Sequence, residues 1–358
     1  MAVYQDKERK TWYCKFYYTD YTGEKKQRKK EGFKLKREAQ EWERNFLEQR
    51  TLDVDILFKN FIEKYFEDMQ NRIKYSTLLN KRFLIDKKIT PFFGELALSK
   101  ITPVHVRQWQ NELISYSDEN DKPYSQTYLK TVNNQLSALF NYAVKYYNLK
   151  ENPCIKAGSM GKKHAEEMNI WTLEEFKKFV DCIDNQESIV IFSILYYTGI
   201  RSGELLALTW EDIDLEKGSI SINKTYQRLE GKDIIGTPKT PKSFRTVLIF
   251  PYLTDIIKKW KDSQYKIDKK ERIFNHTKSF LHHEMKEGSE KAGIPKIRIH
   301  DLRHSHASLL IEMGFSPLLI AERLGHENIE TTLNTYSHLY PNKQCELAEA
   351  LQNKLVRF

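Results

Sequence analysis

His300, Arg303 and His304 fall at i, i+3 and i+4 in the run His300-Asp301-Leu302-Arg303-His304, a spacing that lets one helical face present all three. Downstream, the segment Leu324-Gly325-His326-Glu327-Asn328-Ile329-Glu330-Thr331-Thr332-Leu333-Asn334-Thr335-Tyr336 ends in a phenol. Far upstream, Thr198-Gly199-Ile200-Arg201-Ser202-Gly203-Glu204 supplies a second arginine. This set suits transfer of a phosphodiester onto a tyrosine without a metal. Arginines offer forked donors to non-bridging phosphate oxygens, and histidines add donors or move protons. A phenol has a reference pKa of about 10, so it needs a strongly positive setting to attack at neutral pH.

Each residue has a plainer reading. Arg201 follows the apolar run from Ile189 to Tyr197 and could simply pair with Glu204, three residues on and on the same helical face. Glu204 could equally orient the guanidinium for catalysis. Two histidines at i and i+4 can hold zinc, but Arg303 between them puts a cation beside the ion, and no Cys or Glu cluster completes a site. His304 ranks below His300 because it could be a packing residue behind the site, and His306 reads as structural. His326 follows Gly325 in a turn and is placed to cap the next helix. The chain has 20 tyrosines; Tyr340, four residues past Tyr336, is the rival nucleophile.

The chain carries a net charge of +9 over 358 residues, and a length of this order corresponds to two or three domains. The basic excess lies within residues 1–163, whereas residues 164–358 are near neutral. Basic surfaces of that kind supply the salt-sensitive, sequence-independent part of DNA affinity, or keep a protein soluble. No stretch approaches the roughly 18 apolar residues of a membrane span. The N-terminal MAVYQDKERK lacks an apolar core, so it is not read as a signal peptide and a cytoplasmic location is expected. Cys14, Cys154, Cys182 and Cys345 form no CxxC pair and read as reduced thiols.

The pattern predicts a multidomain protein, mainly α with small β elements. Residues 1–52 open with an aromatic, partly alternating strand, Thr11 to Thr19, and a basic strand, Lys25 to Phe33. From Leu35 onward, Ala39, Trp42, Phe46 and Leu47 recur at helical spacing. A basic, aromatic sheet of this kind can enter a DNA groove. Residues 53–150 read all-helical. A first face is built from Phe58, Phe61, Ile62, Tyr65, Phe66 and Met69, and a second helix runs from after Ser76 to before Pro91. A third is capped by Thr102 with Pro103 at its first position, and a fourth starts near Ser125 and turns Tyr128, Val132, Leu136, Leu139, Phe140 and Ala143 inward. Lys81, Lys87, Lys130 and Lys145 are either phosphate contacts or solvated charges. Residues 151–168 read as a linker. Residues 169–358 form a mixed, mainly α domain with a small antiparallel sheet, opened by the capping box Thr172-Leu173-Glu174-Glu175. Beyond Pro341, Leu347, Leu351 and Leu355 make one apolar stripe that needs a groove, in its own domain or a neighbour's.

Four blocks resemble the tyrosine recombinases, the phage and transposon integrases: Thr198 to Trp210 (TGIRSGELLALTW), Lys239 with Thr240, His300 to His304, and Leu324 to Tyr336. They stand in the family's order. The resemblance implies a site-specific DNA recombinase that integrates or excises a phage or mobile element through a 3′-phosphotyrosyl intermediate. In it Tyr336 is the nucleophile, while Arg201, His300, Arg303 and His326 stabilise charge on the phosphate. Lys239, at the family's β-hairpin position, protonates the leaving 5′ oxygen, with Lys242 as alternative. Neither a cofactor nor a metal is expected. The implied partners are double-stranded DNA at core and arm attachment sites, three further copies of the chain in a homo-tetramer, and an accessory directionality or DNA-bending protein; no membrane is involved. Residues 1–52 then resemble an arm-site DNA-binding domain and 53–150 a core-binding domain. A type IB topoisomerase or a non-catalytic DNA-binding regulator are the alternatives.

Overall fold

The computed structural model describes residues 3–6, 9–19, 25–51, 56–163, 169–238, 240–337 and 352. The chain divides into two compact units, Met1–Glu166 and Glu167–Phe358. Lys239, Tyr340, Cys345 and the leucine stripe of the tail lie outside the described residues.

The first unit opens with an antiparallel sheet of β1 (Val3–Asp6), β2 (Thr11–Thr19) and β3 (Lys25–Phe33), followed by α1 (Lys36–Thr51). Alternation in β2 sends Cys14 and Phe16 to one face, where they are buried with Ala39 of α1 against Trp12, Phe33, Trp42 and Phe46. The opposite register places Lys15 beside Lys29 and Tyr17 beside Gln27, with Tyr4 stacked on Tyr13 at 5.5 Å. Strand β1 was not legible in the sequence, because four residues with an exposed centre leave no periodic signal.

The helical part comprises α2 (Phe58–Met69), α3 (Tyr75–Lys88), α4 (Thr90–Phe93), α5 (Pro103–Ile114), α6 (Gln126–Tyr146) and α7 (Pro153–Ala157). Phe58, Phe61, Phe93, Trp109, Leu136 and Phe140 fill its core. Ser125 Oγ accepts the Tyr128 amide at 3.2 Å and starts α6 as its sequence suggests. On α6, Leu129 and Asn133 are buried and Tyr128 only partly so, so the inward face is rotated slightly from the expected one. Helix α3 ends before Pro91 as expected, and Pro91 then sits in the first turn of the separate short α4, where no amide is needed. Lys81 and Lys130 are engaged by Gln135 and Ser159 within the unit.

The segment expected as a linker is structured in its first part. Asn152 Oδ1 caps α7 through the Cys154 amide at 2.9 Å, and Cys154, Ala157 and Met160 join the helical core. Gln110 Nε2 donates to the Gly158 carbonyl at 2.8 Å. Apolar residues spaced along a Pro- and Gly-containing stretch give too short a run to stand out as a helix.

The second unit contains α8 (Leu173–Asp181), α9 (Gln186–Thr198), α10 (Ser202–Leu205), β4 (Ile213–Asp214), β5 (Ser219–Ile222), β6 (Thr225–Leu229), β7 (Lys232–Gly236), β8 (Arg245–Leu248), α11 (Pro251–Asp262), α12 (Lys278–Ala292), α13 (Asp301–Glu312), α14 (Pro317–Leu324) and α15 (Ile329–Tyr336). Strands β4, β5 and β8 form one antiparallel sheet and β6–β7 a hairpin. Thr172 and Glu175 close the expected capping box on α8. Helix α9 is apolar nearly all round because it runs through the middle of the core, packed by α8, α11 and α13. Its C-terminal end therefore delivers whatever follows it to a fixed place. Among the described residues, no helix is long and apolar enough to cross a membrane.

Candidate active site

Helix α9 ends at Gly199, whose φ of +66° is the left-handed value a helix C-terminus commonly takes. A Cβ there would come within 2.7 Å of both His306 Cδ2 and Leu324 Cδ2. Gly199→Ala should therefore cost on the order of 2–4 kcal/mol, combining a strained backbone with overpacking. A denaturant midpoint unchanged from wild type would show that the turn relaxes freely.

Two residues on, Arg201 Nη1 meets Glu204 Oε1 at 2.7 Å, while the Arg201 amide donates to Oε2 at 2.9 Å. Glu204 is buried and also receives Arg245 Nη2 at 2.8 Å. Burial by itself would raise the Glu204 carboxyl's pKa, but Arg245 and then Arg201 outweigh it and hold it below the usual range. The pairing read as the plainer alternative is thus real, and it leaves Arg201 about one-third exposed. A guanidinium oriented by a shared carboxylate keeps donors for an incoming anion.

Arg303 is 3% exposed. Its Nη1 donates to the Gly199 carbonyl at 2.8 Å and its Nη2 to the Leu324 carbonyl at 2.6 Å. Burial, then Arg201 and Arg245, push its pKa down to about 9, so it stays charged at neutral pH. His300 stands at the N-terminus of α13, one turn before His304, with the two rings edge to face at 5.2 Å. Burial and the neighbouring Arg303 and Arg201 lower its pKa.

Tyr336 closes α15 with 1% exposure, packed among Ala307, Ile311, Ile320 and Leu324. His304 Nδ1 lies 2.6 Å from its hydroxyl. Burial pushes the phenol up to about 12, with Arg303 pulling the other way. The expected lowering by a positive setting is thus not met in the free protein, because desolvation of the phenolate outweighs one guanidinium. His304, ranked below His300 because it could equally have been a packing residue, contacts the phenol directly; the approach of α13 and α15 that creates this contact leaves no local sequence signal.

His326 does not cap α15. Asn328 occupies that position, and His326 Nδ1 instead meets the buried Thr332 Oγ1 at 2.7 Å. Burial, then Arg303, Arg201 and Arg245, push its pKa down to about 4, so its ring is neutral at pH 7. If Nδ1 accepts the threonine hydroxyl proton, Nε2 carries the remaining hydrogen as a donor. Lys242, the alternative to Lys239, is engaged with the Glu327 carbonyl at 2.8 Å. His306 is buried and takes Arg323 Nε at 3.0 Å on Nε2, a structural contact. Among the described residues the one group with metal-ligand spacing is His283, Glu284 and Glu287 on α12, which includes neither His300 nor His304. Sequence reasoning missed Arg245, partly buried and joined to Glu204 and the Arg323 carbonyl across 41 and 78 residues.

Residues 171–343 match the sequence profile described as the phage integrase family. Residues 57–114 match its N-terminal SAM-like domain and residues 2–49 an arm DNA-binding domain. The chain is 32% identical over 348 residues to the ICEBs1 integrase of Bacillus subtilis (strain 168), covering 90% of this chain and 88% of that one. The chain belongs to the phage integrase family. It is a tyrosine-type site-specific recombinase. The integrase of Staphylococcus phage L54a is 27% identical, over 86% of this chain and 95% of its own. Among solved folds, this integrase-family chain is similar to the Tn1549 transposon integrase in complex with a circular intermediate DNA (TM-score 0.68, 19% identity, 84% of this chain and 99% of that one). It is similar too to a lambda integrase dimer bound to a COC′ core site (TM-score 0.60, 16% identity, 96% and 95%).

Proposed function

We propose that this recombinase cuts and rejoins double-stranded DNA through a 3′-phosphotyrosyl link on Tyr336. The observation that carries this reading is the Tyr336 hydroxyl on His304, on the same helix as Arg303, which is tied to the turns bearing Arg201 and His326. Arg201, Arg303, His300 and His326 hold the scissile phosphate and stabilise its developing charge, as fixed donors do best in a water-poor site. Lys239, or Lys242 after it leaves Glu327, protonates the departing 5′ oxygen. A 5′ hydroxyl from a second duplex reverses the chemistry. The bond energy is kept in the protein–DNA link, so neither ATP nor metal enters. Two duplexes cut on both strands call for four protomers. The protein works in the cytoplasm on the integration and excision of a mobile element. A duplex nicked near the cleavage point tests this: it loses a short fragment on cutting and traps the covalent complex.

In this reading residues 1–52 bind arm sites, 53–150 grip the core site and 169–358 cut. The sheet face carrying Tyr4, Tyr13, Lys15, Tyr17, Gln27 and Lys29 supports the first role, being basic, aromatic and turned away from α1. Deleting residues 1–50 should leave core cleavage intact and reduce integration. Full-length protein should protect two classes of DNA site from nuclease and the truncated protein one; identical footprints would remove the separate role.

A further inference from the structure

We propose that Arg245 is a positioning residue for cleavage: it fixes the Glu204 carboxylate, which in turn aims the Arg201 guanidinium at the scissile phosphate. The inference rests on the reading of Arg201 as a phosphate contact and adds to it a residue from a different element, β8. The Arg201 guanidinium meets Glu204 through one nitrogen, Nη1 at 2.7 Å, and its side chain is 37% exposed. A single hydrogen bond leaves a guanidinium room to turn, whereas a forked pair sets its plane. The direction of the free Arg201 donors therefore depends on how firmly the carboxylate itself is held.

Arg245 supplies that hold. Its Nη2 donates to Glu204 Oε2 at 2.8 Å and its Nη1 to Oε1 at 3.3 Å, a fork across both oxygens. Its Nε donates to the Arg323 carbonyl at 2.9 Å, and Nη1 also reaches the Ser243 carbonyl at 3.1 Å. The Arg245 side chain is 7% exposed, and these contacts turn its donors inward. It is thus not placed to touch DNA and acts through Glu204. Burial alone would raise the Glu204 pKa, and Arg245 stands ahead of Arg201 among the groups that bring it below the usual range.

The same side chain packs against the turn that carries His326. A Cβ at Gly325 would lie 3.1 Å from Arg245 Cδ and 2.9 Å from the Lys242 carbonyl. Through Ser243, Arg245 also touches the segment bearing Lys242. That contact is the rival route by which its loss could slow cleavage.

The test is a double-substitution cycle, read by single-turnover formation of the covalent complex on a nicked duplex built from the sequence the protein protects from nuclease. Melting temperatures are measured beside it. Arg245→Ala should slow adduct formation about 10–10²-fold, the scale of a misplaced reacting geometry. In an Arg201→Ala background the same substitution should cost about threefold or less, because the group it positions is already gone. Arg245→Lys keeps the charge but not the fork, so it should fold and cleave at a rate between wild type and the alanine variant. Slowing of equal size with and without Arg201 would overturn the proposal, since Arg245 would then act independently. So would an Arg245→Lys protein that cleaves at the wild-type rate, because a point charge would then serve as well as the fork. A duplex with sulfur in place of the bridging 5′ oxygen separates the rival route, since a thiolate leaves without needing a proton. A defect that vanishes on that duplex would overturn the proposal in favour of the lysine segment, and one that persists supports it. Arg201→Ala cleaving at the wild-type rate would instead overturn the underlying reading of Arg201 itself.

Discussion

Tyr336→Phe should form no covalent DNA complex while binding the same DNA with unchanged affinity. The substitution removes one oxygen and keeps the ring that packs among Ala307, Ile311, Ile320 and Leu324. Losing the hydrogen bond to His304 costs about 0.5–1.5 kcal/mol, too little to unfold the domain. The chemistry has no substitute at that place, because attack requires an oxygen nucleophile in line with the leaving group. Denaturing gels on a nicked duplex report the adduct directly. A band of shifted mobility in the phenylalanine variant would hand the nucleophile's role to another residue, Tyr340 first.

Arg201→Ala and Arg303→Ala should each lower the cleavage rate by roughly 10²-fold or more, as loss of a fixed donor to a developing anion does. The two should differ in stability. Arg201 is partly exposed, and Glu204 keeps Arg245 when it is gone, so its loss should cost about 1 kcal/mol or less. Arg303 is buried, and its removal leaves the Gly199 and Leu324 carbonyls without their partner, on the order of 2–5 kcal/mol. Thermal melting beside single-turnover cleavage distinguishes the cases. An Arg303→Ala protein that melts like wild type would show that water or another donor replaces the guanidinium. An Arg201→Ala protein that cleaves at wild-type rate would leave the Glu204 pair as that residue's whole purpose.

The sequence exposed whatever is written locally. Helix faces such as Phe58 to Phe66, the Ser125 and Thr172 starts, and the alternation of β2 and β5 follow from side-chain period and capping, and those elements are found at those places. Four-residue β1 and the five-residue α7 are too short to show a period. Contacts between distant elements are a different matter. Nothing near Arg245 announces that it will share Glu204 with Arg201, and nothing near His304 announces the phenol of α15. The His326 turn was legible, but its partner was not, since a histidine before a helix can cap it or, as here, reach Thr332. The phenol's high pKa was also out of reach, because it depends on how tightly the neighbours exclude water.

The two carbonyls that Arg303 holds belong to residues 125 positions apart, and Arg201 and His326 each follow one of them by two residues. Folding therefore sets the Arg201 turn and the His326 turn through a single guanidinium, which meets both carbonyls only once helices α9 and α14 have both docked. If Arg201 and His326 hold the scissile phosphate as proposed, a recombinase gains a safeguard from this arrangement. On that reading a nascent or partly unfolded chain has no half-built version of the site, and the ability to cut arrives together with the complete domain.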